Sequence, residues 1–174
     1  FDKPSWVQAT PLLSEARQAS IDAFNILQLE SLQAVDEAVG GNPTYGIAGI
    51  MQALQDAGVA DDTLVVYFAD NGYLWGEHRM DKKNKPYDEA IRAPMVVRYP
   101  KLAPLRRQET KLALNIDFCP TFLELAGAEG SPPVNFIEGS SLIRLLDGTA
   151  ASWRTDFLHE GWPVGHPWAS IREA

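Results

Sequence analysis

The chain of 174 residues predicts an α/β fold with a mostly parallel sheet flanked by helices. Three observations carry that expectation. Apolar side chains recur at three- and four-residue steps over residues 21–39 and again over 47–54, the period of amphipathic helices. Residues 64–69 follow as Leu-Val-Val-Tyr-Phe-Ala, an unbroken apolar run that suits a strand covered on both faces. A helix feeding such a strand is the repeating unit of α/β proteins.

In chain order, residues 1–13 carry Pro4, Trp6 and Pro11 without a sustained period and read as an extended arm. From Ser14 the pattern turns helical, with Ile21, Phe24, Leu27, Leu32, Val35 and Val39 on the expected core face, and Gly40-Gly41 ends it. Asn42-Pro43 is suited to cap and start a second helix, in which Ile47, Ile50, Met51 and Leu54 form one face and Gly58 the stop. Residues 41–49 leave an insertion, a loop or a helix break equally open. Asp61-Asp62 makes the turn into the strand at 64–69, and residues 94–99, closed by Pro100, predict a second strand. Asp117, with Pro120 in the first turn and Gly127 at the end, frames a helix containing Phe118, Phe122, Leu123 and Leu125. A Gly/Ser/Pro-rich loop at 130–140 leads to a short helix at 142–146, and residues 168–171 read as a final strand.

Fifteen Lys and Arg against 23 Asp and Glu leave a formal charge of −8, and 45% of the residues are hydrophobic. This is a globular composition sized for one domain. The acidity disfavours nucleic acid and anionic membrane as partners. No run approaches the roughly 20 apolar residues that span a bilayer, and the first residues lack the layout of a signal peptide. The single cysteine, Cys119, has no partner within the chain and reads as a buried helix residue. With three histidines in all, a Cys/His zinc cage is excluded, so any metal is expected on oxygen ligands, calcium or magnesium first.

Chemistry is expected just beyond the carboxyl end of the strand at 64–69, where open α/β sheets gather ligands. Asp70 and Asn71 stand there with a carboxylate and an amide carbonyl, two hard oxygens suited to a divalent cation, and Gly72 allows a sharp turn. Asn71-Gly72 also suits a tight hairpin turn. The segment after it, residues 73–86, has neither alternation nor β-branched residues, so it reads as a long loop. It carries His78, Arg79, Lys82, Lys83 and Lys85, a cationic patch in an acidic chain that would attract an anionic ester.

The ordered series Asp61 to Arg79 with Ala-Asp70-Asn71-Gly72-Tyr and Trp75-Gly76-Glu77-His78-Arg79 at its centre, then Lys83, then Pro86-Tyr87-Asp88-Glu89-Ala90-Ile91-Arg92-Ala93-Pro94, resembles the C-terminal half of the sulfatase catalytic domain. The likeness continues upstream through Leu32 to Gly40 and downstream through Asn115-Ile116-Asp117, Pro120 to Gly127 and Glu138 to Leu142, covering residues 29 to 172. It implies an alkaline-phosphatase-like sandwich and a sulfuric ester hydrolase that uses calcium and a formylglycine nucleophile. On that resemblance Asp70 and Asn71 are metal ligands and Lys83 is the catalytic lysine on the sulfate group, while His78 is open between a substrate-binding place, lining the pocket or bonding a substrate hydroxyl, and a structural or surface one. The substrate is then a sulfated small molecule or sugar, and the parent is secreted or periplasmic.

The family's nucleophile signature and its early aspartate pair have no counterpart here, and Cys119 lacks the arginine that such a signature requires. The chain therefore reads as a partial catalytic domain: an arm over 1–13, the later half of the α/β unit over 14–167, and the first strand of a C-terminal subdomain over 168–174. Alone it is expected to be inactive. Two alternatives stand beside this reading, a phosphodiesterase or phosphonate hydrolase of the same superfamily and a noncatalytic module that binds an anion or a protein partner.

Overall fold

Ser14 opens the long helix as expected, its side chain accepting the backbone N–H of Arg17 at 3.2 Å. In the computed structural model, which describes residues 5–41, 45–128, 137–161 and 167–174, this helix is α2, Glu15–Asp36. It follows a short α1, Ser5–Gln8, so the arm is not wholly extended. Pro4, Asn42-Pro43 and most of the loop at 130–140 lie outside the described residues. A π-turn over Glu37–Gly41 closes α2, and α3, Gly46–Asp56, begins against it. Gly46 has φ +65° and a Cβ there would lie 2.1 Å from the Ala38 carbonyl oxygen. The backbones of Ala38 and Gly46 thus touch, and Gly58, at φ +70°, stops α3 as expected.

The predicted core face of α2 is mostly not buried. Ile21 is 6% exposed, whereas Leu27 is 60% and Leu32 48% exposed, and Phe24, Val35 and Val39 are also exposed. The apolar period is real, but beyond Ile21 and the ring contacts of Phe24 with Tyr73 and Trp75 little packs on it among the described residues. Leu29, Leu32, Val35 and Val39 instead line a shallow groove of about 520 Å³ that Tyr67 closes on the far side.

The two predicted strands form as β1, Val65–Phe68, and β4, Met95–Arg98. They pair antiparallel, Val65 opposite Arg98 and Phe68 opposite Met95. All three sheets among the described residues are two-stranded and antiparallel, so the chain is mixed α/β and the expected parallel pairing is not seen. Period-two alternation turns Val66 and Met95 toward the core. On the opposite face Tyr67 and Val96 are exposed, so β1 is covered on one face and not on two. Arg98 ties the sheet to the preceding turn, donating to the Ala60 carbonyl at 2.6 Å and to Asp61 at 3.1 Å.

Between these strands lie three short elements that the sequence reading passed over: β2, Leu74–Trp75, its partner β3, Asp81–Lys82, and the single turn α4, Asp88–Ile91. Leu74 is wholly buried. Gly72 does not serve as a left-handed turn, because its φ lies outside that region. It serves close approach. Its N–H donates to the Ala90 carbonyl at 2.9 Å, and a Cβ would stand 2.1 Å from the Glu89 oxygen and 2.7 Å from that of Arg92. Since β2 pairs with β3 and not with β1, Asn71-Gly72 is not a hairpin turn.

The core proper forms around α5, Phe118–Leu125, and α6, Ile143–Leu146, where Phe118, Leu142 and Leu145 pack with Val66, Met95 and Trp153. Asp117, fully buried, is its polar centre. Its carboxylate accepts the backbone N–H groups of Leu114 and Ser140, each at 2.8 Å, and both arms of the Arg154 guanidinium at 2.5 and 2.7 Å. Thr121, also buried, donates to the Asp117 carbonyl at 2.6 Å and accepts from the Leu142 N–H at 2.8 Å. Cys119, expected inside, is exposed: α5 turns Phe118 and Thr121 inward, and the cysteine falls on the outer side. A hairpin of β5, Asp156–Gly161, and β6, Trp168–Glu173, ends the chain. The last strand was expected, but its partner was not.

Three predictions follow from this packing. Asp117→Ala leaves the Arg154 charge without its partner in a largely buried setting and should lower the unfolding free energy of the full-length protein by about 3 kcal/mol or more, measurable by urea titration. Gly72→Ala forces a methyl group into two carbonyl oxygens and should cost about 1–3 kcal/mol in the same assay. His159 on β5 has a buried Nδ1 without a hydrogen-bond partner among the described residues, and burial lowers its pKa below the usual 6.5. The unfolded chain then binds the proton more readily than the folded one, so stability should fall as pH drops through about 6.5; His159→Phe should reduce that fall in melting curves recorded between pH 7.5 and 5.

Candidate active site

The chain leaves β1 at Phe68, and the Ala69 N–H still bonds to the Pro94 carbonyl at 3.2 Å, so the next residues start from a fixed strand end. Gly72, pressed on α4, fixes them from the other side. Between these two anchors Asp70 and Asn71 have little freedom. The Asp70 carboxylate accepts the Asn71 N–H at 2.9 Å, and the Asn71 amide donates to the Gly72 carbonyl at 2.6 Å. That second bond commits the amide nitrogen and turns the Asn71 carbonyl oxygen outward.

Lys83 arrives from across the β2–β3 ribbon. Its ammonium donates to Asn71 Oδ1 at 3.1 Å and stands 3.7 Å from Asp70 Oδ2. Three of the residues singled out by sequence therefore meet at one point, 12 or 13 positions apart in the chain. The Asp70 side chain is 81% exposed and that of Lys83 51%. An ion pair so exposed is worth at most about 1 kcal/mol, so the lysine is readily redirected to a stronger anion. His78, the fourth, makes other contacts: its ring stacks on Tyr87 with centroids 3.8 Å apart, and Nε2 lies 3.3 Å from Glu89. Burial first, and the Glu89 carboxylate second, raise the Tyr87 pKa above the ordinary phenol value and keep it neutral.

The backbone carrying these groups is unusual. His78, Arg79, Lys82 and Asn84 have φ of 56°, 62°, 73° and 67°, and they are the only non-glycine residues with positive φ among the described residues. Left-handed conformations cluster where surrounding structure enforces them. On one side the enforcement comes from the arm and α2: Arg17 pairs with Asp81, Arg79 donates to the Thr10 carbonyl at 2.8 Å, and Phe24 packs on Trp75 at 5.8 Å. On the other it comes from β6, where Trp168 donates to the Asn84 carbonyl at 3.1 Å and Arg172 meets Asp88 at 2.8 Å. Sequence reasoning missed these supports, because Trp168 and Arg172 each lie 84 residues from their partners.

Among the described residues no group of three or more His, Cys, Asp or Glu side chains is placed to hold a metal ion. Asp70 and Asn71 offer three side-chain oxygens, against the six to eight that calcium takes. The donor chemistry suits an oxygen-seeking cation, and the number falls short of a complete coordination shell.

A family model described as N-sulphoglucosamine sulphohydrolase, C-terminal, matches residues 76–166. An arylsulfatase of Volvox carteri is 35% identical over 145 residues, 81% of this chain and 21% of that protein. An N-acetylglucosamine-6-O-sulfatase of Bacteroides thetaiotaomicron is 36% identical over 129 residues, 72% of this chain and 21% of that protein. The chain thus spans about a fifth of the length of the curated relatives it matches. Among solved structures, a protein in complex with its substrate D-glucosamine-2-N,6-O-disulfate superposes with a TM-score of 0.64 at 32% identity, over 73% of this chain and 27% of that one. A phosphonate monoester hydrolase of Agrobacterium radiobacter gives 0.59 at 25% identity, over 71% of this chain and 28% of that one. With the loop lysine and the downstream core helix inside the span of the family model, the chain belongs to the sulfatase family, in the C-terminal region of its sulphohydrolase domain.

Proposed function

We propose that this chain forms the later part of the catalytic domain of a sulfatase that hydrolyses sulfate monoesters, with a sulfated sugar as the substrate class. The observation that carries the reading is the meeting of Lys83 with Asp70 and Asn71 at the end of β1. An ammonium drawn to both oxygens marks a spot of concentrated negative potential. Asp70 and Asn71 are assigned as two ligands of a divalent cation, calcium by its preference for carboxylate and amide oxygens. When bound, such an ion acts as a Lewis acid toward oxyanion oxygens. Lys83 is assigned to the sulfuryl group as a point charge that stabilises negative charge as the ester bond breaks. His78, held by Tyr87 and Glu89, is assigned to the pocket wall as a hydrogen-bonding partner for substrate.

The remaining machinery, a formylglycine nucleophile and the other metal ligands, is assigned to segments outside these 174 residues. The uncovered Tyr67 and Val96 face and the exposed stripe of α2 support further elements packing over them to complete the sandwich. No described helix is long and apolar enough to cross a membrane, and relatives described as extracellular sulfatases in Drosophila melanogaster and Caenorhabditis elegans support an exported parent. A second reading, hydrolysis of phosphonate monoesters, has support in the two phosphonate monoester hydrolase structures, with TM-scores of 0.52 and 0.59.

The test uses the full-length protein with an aryl sulfate and an aryl phosphonate monoester. Asp70→Ala should weaken calcium binding in calorimetry and lower turnover with it. Lys83→Ala should leave calcium binding in place and lower kcat/KM for the sulfate ester by about 10²-fold, the usual cost of one lost donor to developing charge. Normal rates in both variants would overturn the assignment, and a higher kcat/KM for the phosphonate ester would favour the second reading. The isolated 174-residue chain should turn over neither ester.

A further inference from the structure

We propose that Trp168 is a positioning residue for Lys83, acting through the backbone of Asn84; this rests on the reading of Lys83 given above. The indole N–H donates to the Asn84 carbonyl at 3.1 Å, one residue past the lysine. Lys82 and Asn84, on either side of it, both hold left-handed backbone at φ 73° and 67°. Each such non-glycine residue costs of order 1 kcal/mol or more, so this stretch keeps its shape only against outside support. The contact of Lys83 with Asp70 and Asn71 is too exposed to supply it, being worth at most about 1 kcal/mol. Arg17 holds Asp81 on the near side of the lysine, and β6 supplies the support on the far side.

Trp168 is itself fixed. Its ring lies over Gly161 in the paired strand, so closely that a Cβ at that glycine would fall 2.3 Å from it. The ring also meets His159 edge-on, with centroids 4.7 Å apart and planes at 69°. Four residues on and on the same face of β6, Arg172 grips Asp88 through contacts at 2.8 and 3.1 Å. These two contacts secure residues 84 and 88, just past the lysine and at the start of α4. Gly72, packed under α4, then places Asp70 and Asn71 in the same frame. The β5–β6 hairpin thereby sets the distance between the lysine and the two oxygens without touching either.

The experiment is a double-mutant cycle in the full-length protein, read as kcat/KM for 4-nitrophenyl sulfate. Trp168→Phe removes the N–H donor and keeps an aromatic ring over Gly161. It should lower kcat/KM by about tenfold, as a misplaced catalytic group does, and by less than about twofold in a Lys83→Ala background, because there is no lysine left to misplace. A loss of equal size in both backgrounds marks a purely structural role and overturns the proposal, as does no loss in the wild-type background. If Lys83→Ala alone keeps the normal rate, the reading of Lys83 falls and this inference with it, an outcome distinct from equal losses beside an impaired Lys83→Ala. Should Trp168→Phe fail to fold by circular dichroism, Arg172→Met, which removes an exposed ion pair, carries the same cycle with the same readings.

Discussion

The absence of a side chain at Gly72 is the constraint on which the rest of the site depends. Carbonyl oxygens of Glu89 and Arg92 occupy the space that a Cβ would need, and the Gly72 N–H is already committed to Ala90. The strand end and α4 are therefore one rigid unit. Asp70 and Asn71 belong to the strand end, while Lys83, His78 and Tyr87 belong to the loop that returns to α4. Were the two backbones separated by even one methyl layer, the lysine and the oxygens would no longer share a hydrogen bond at 3.1 Å. A glycine that looks like turn chemistry in the sequence acts here as a packing residue, and its consequence is electrostatic.

The loop between Gly72 and α4 shows how much surrounding structure such a site needs. Four left-handed residues within seven positions would relax in isolation, and none of them is glycine. Support comes from both ends of the chain: the arm and the first turns of α2 hold Asp81 and Arg79, and the last strand holds Asn84 and Asp88. Most of these contacts are exposed pairs worth under about 1 kcal/mol each. The aromatic contacts of Phe24, Tyr73 and Trp75, with centroids 4.5 to 6.3 Å apart, add the apolar area that ion pairs lack. The loop is thus braced by many weak bonds, and no single one of them fixes its shape alone.

Local chemistry was legible in the sequence and long-range partnership was not. Ser14, Gly58 and Gly127 fall where capping rules put them, because a cap is decided by a few neighbouring residues. Residues 64–69 and 94–99 were readable as strands from their apolar runs, but the direction of their pairing depends on the path of the 26 residues between Phe68 and Met95. Burial failed for Leu27 and Leu32 because periodicity says which side of a helix is apolar, not whether anything lies against it, and for Cys119 because a residue's apolar character does not say which side of α5 it falls on. β5 escaped because its inward positions are Phe157, His159 and Gly161, a pattern with one large apolar residue. Asp70, Asn71 and Lys83 were singled out through an ordered motif, and their meeting in space depends on Gly72 and on Trp168, the second of which carries no local mark of its role.

The buried Asp117–Arg154 pair connects this surface chemistry to the core. Asp117 gathers two backbone N–H groups, one from before α5 and one from the segment leading to α6, and then Arg154, two residues before β5. A buried pair of this kind contributes little net stability against a well-packed apolar substitute, since desolvation offsets most of the attraction. What it does supply is direction. Arg154 is bound at both nitrogens and its guanidinium lies 5.1 Å from the Trp153 ring, whose own N–H is held by the Leu112 carbonyl at 2.6 Å. The chain therefore enters β5 from a fixed point with a fixed heading, and β6, paired to it over six positions, inherits that heading. The face of the hairpin that carries Trp168 and Arg172 is in this way aimed at the lysine loop from the core outward, and a buried polar node helps determine where the ammonium of Lys83 stands.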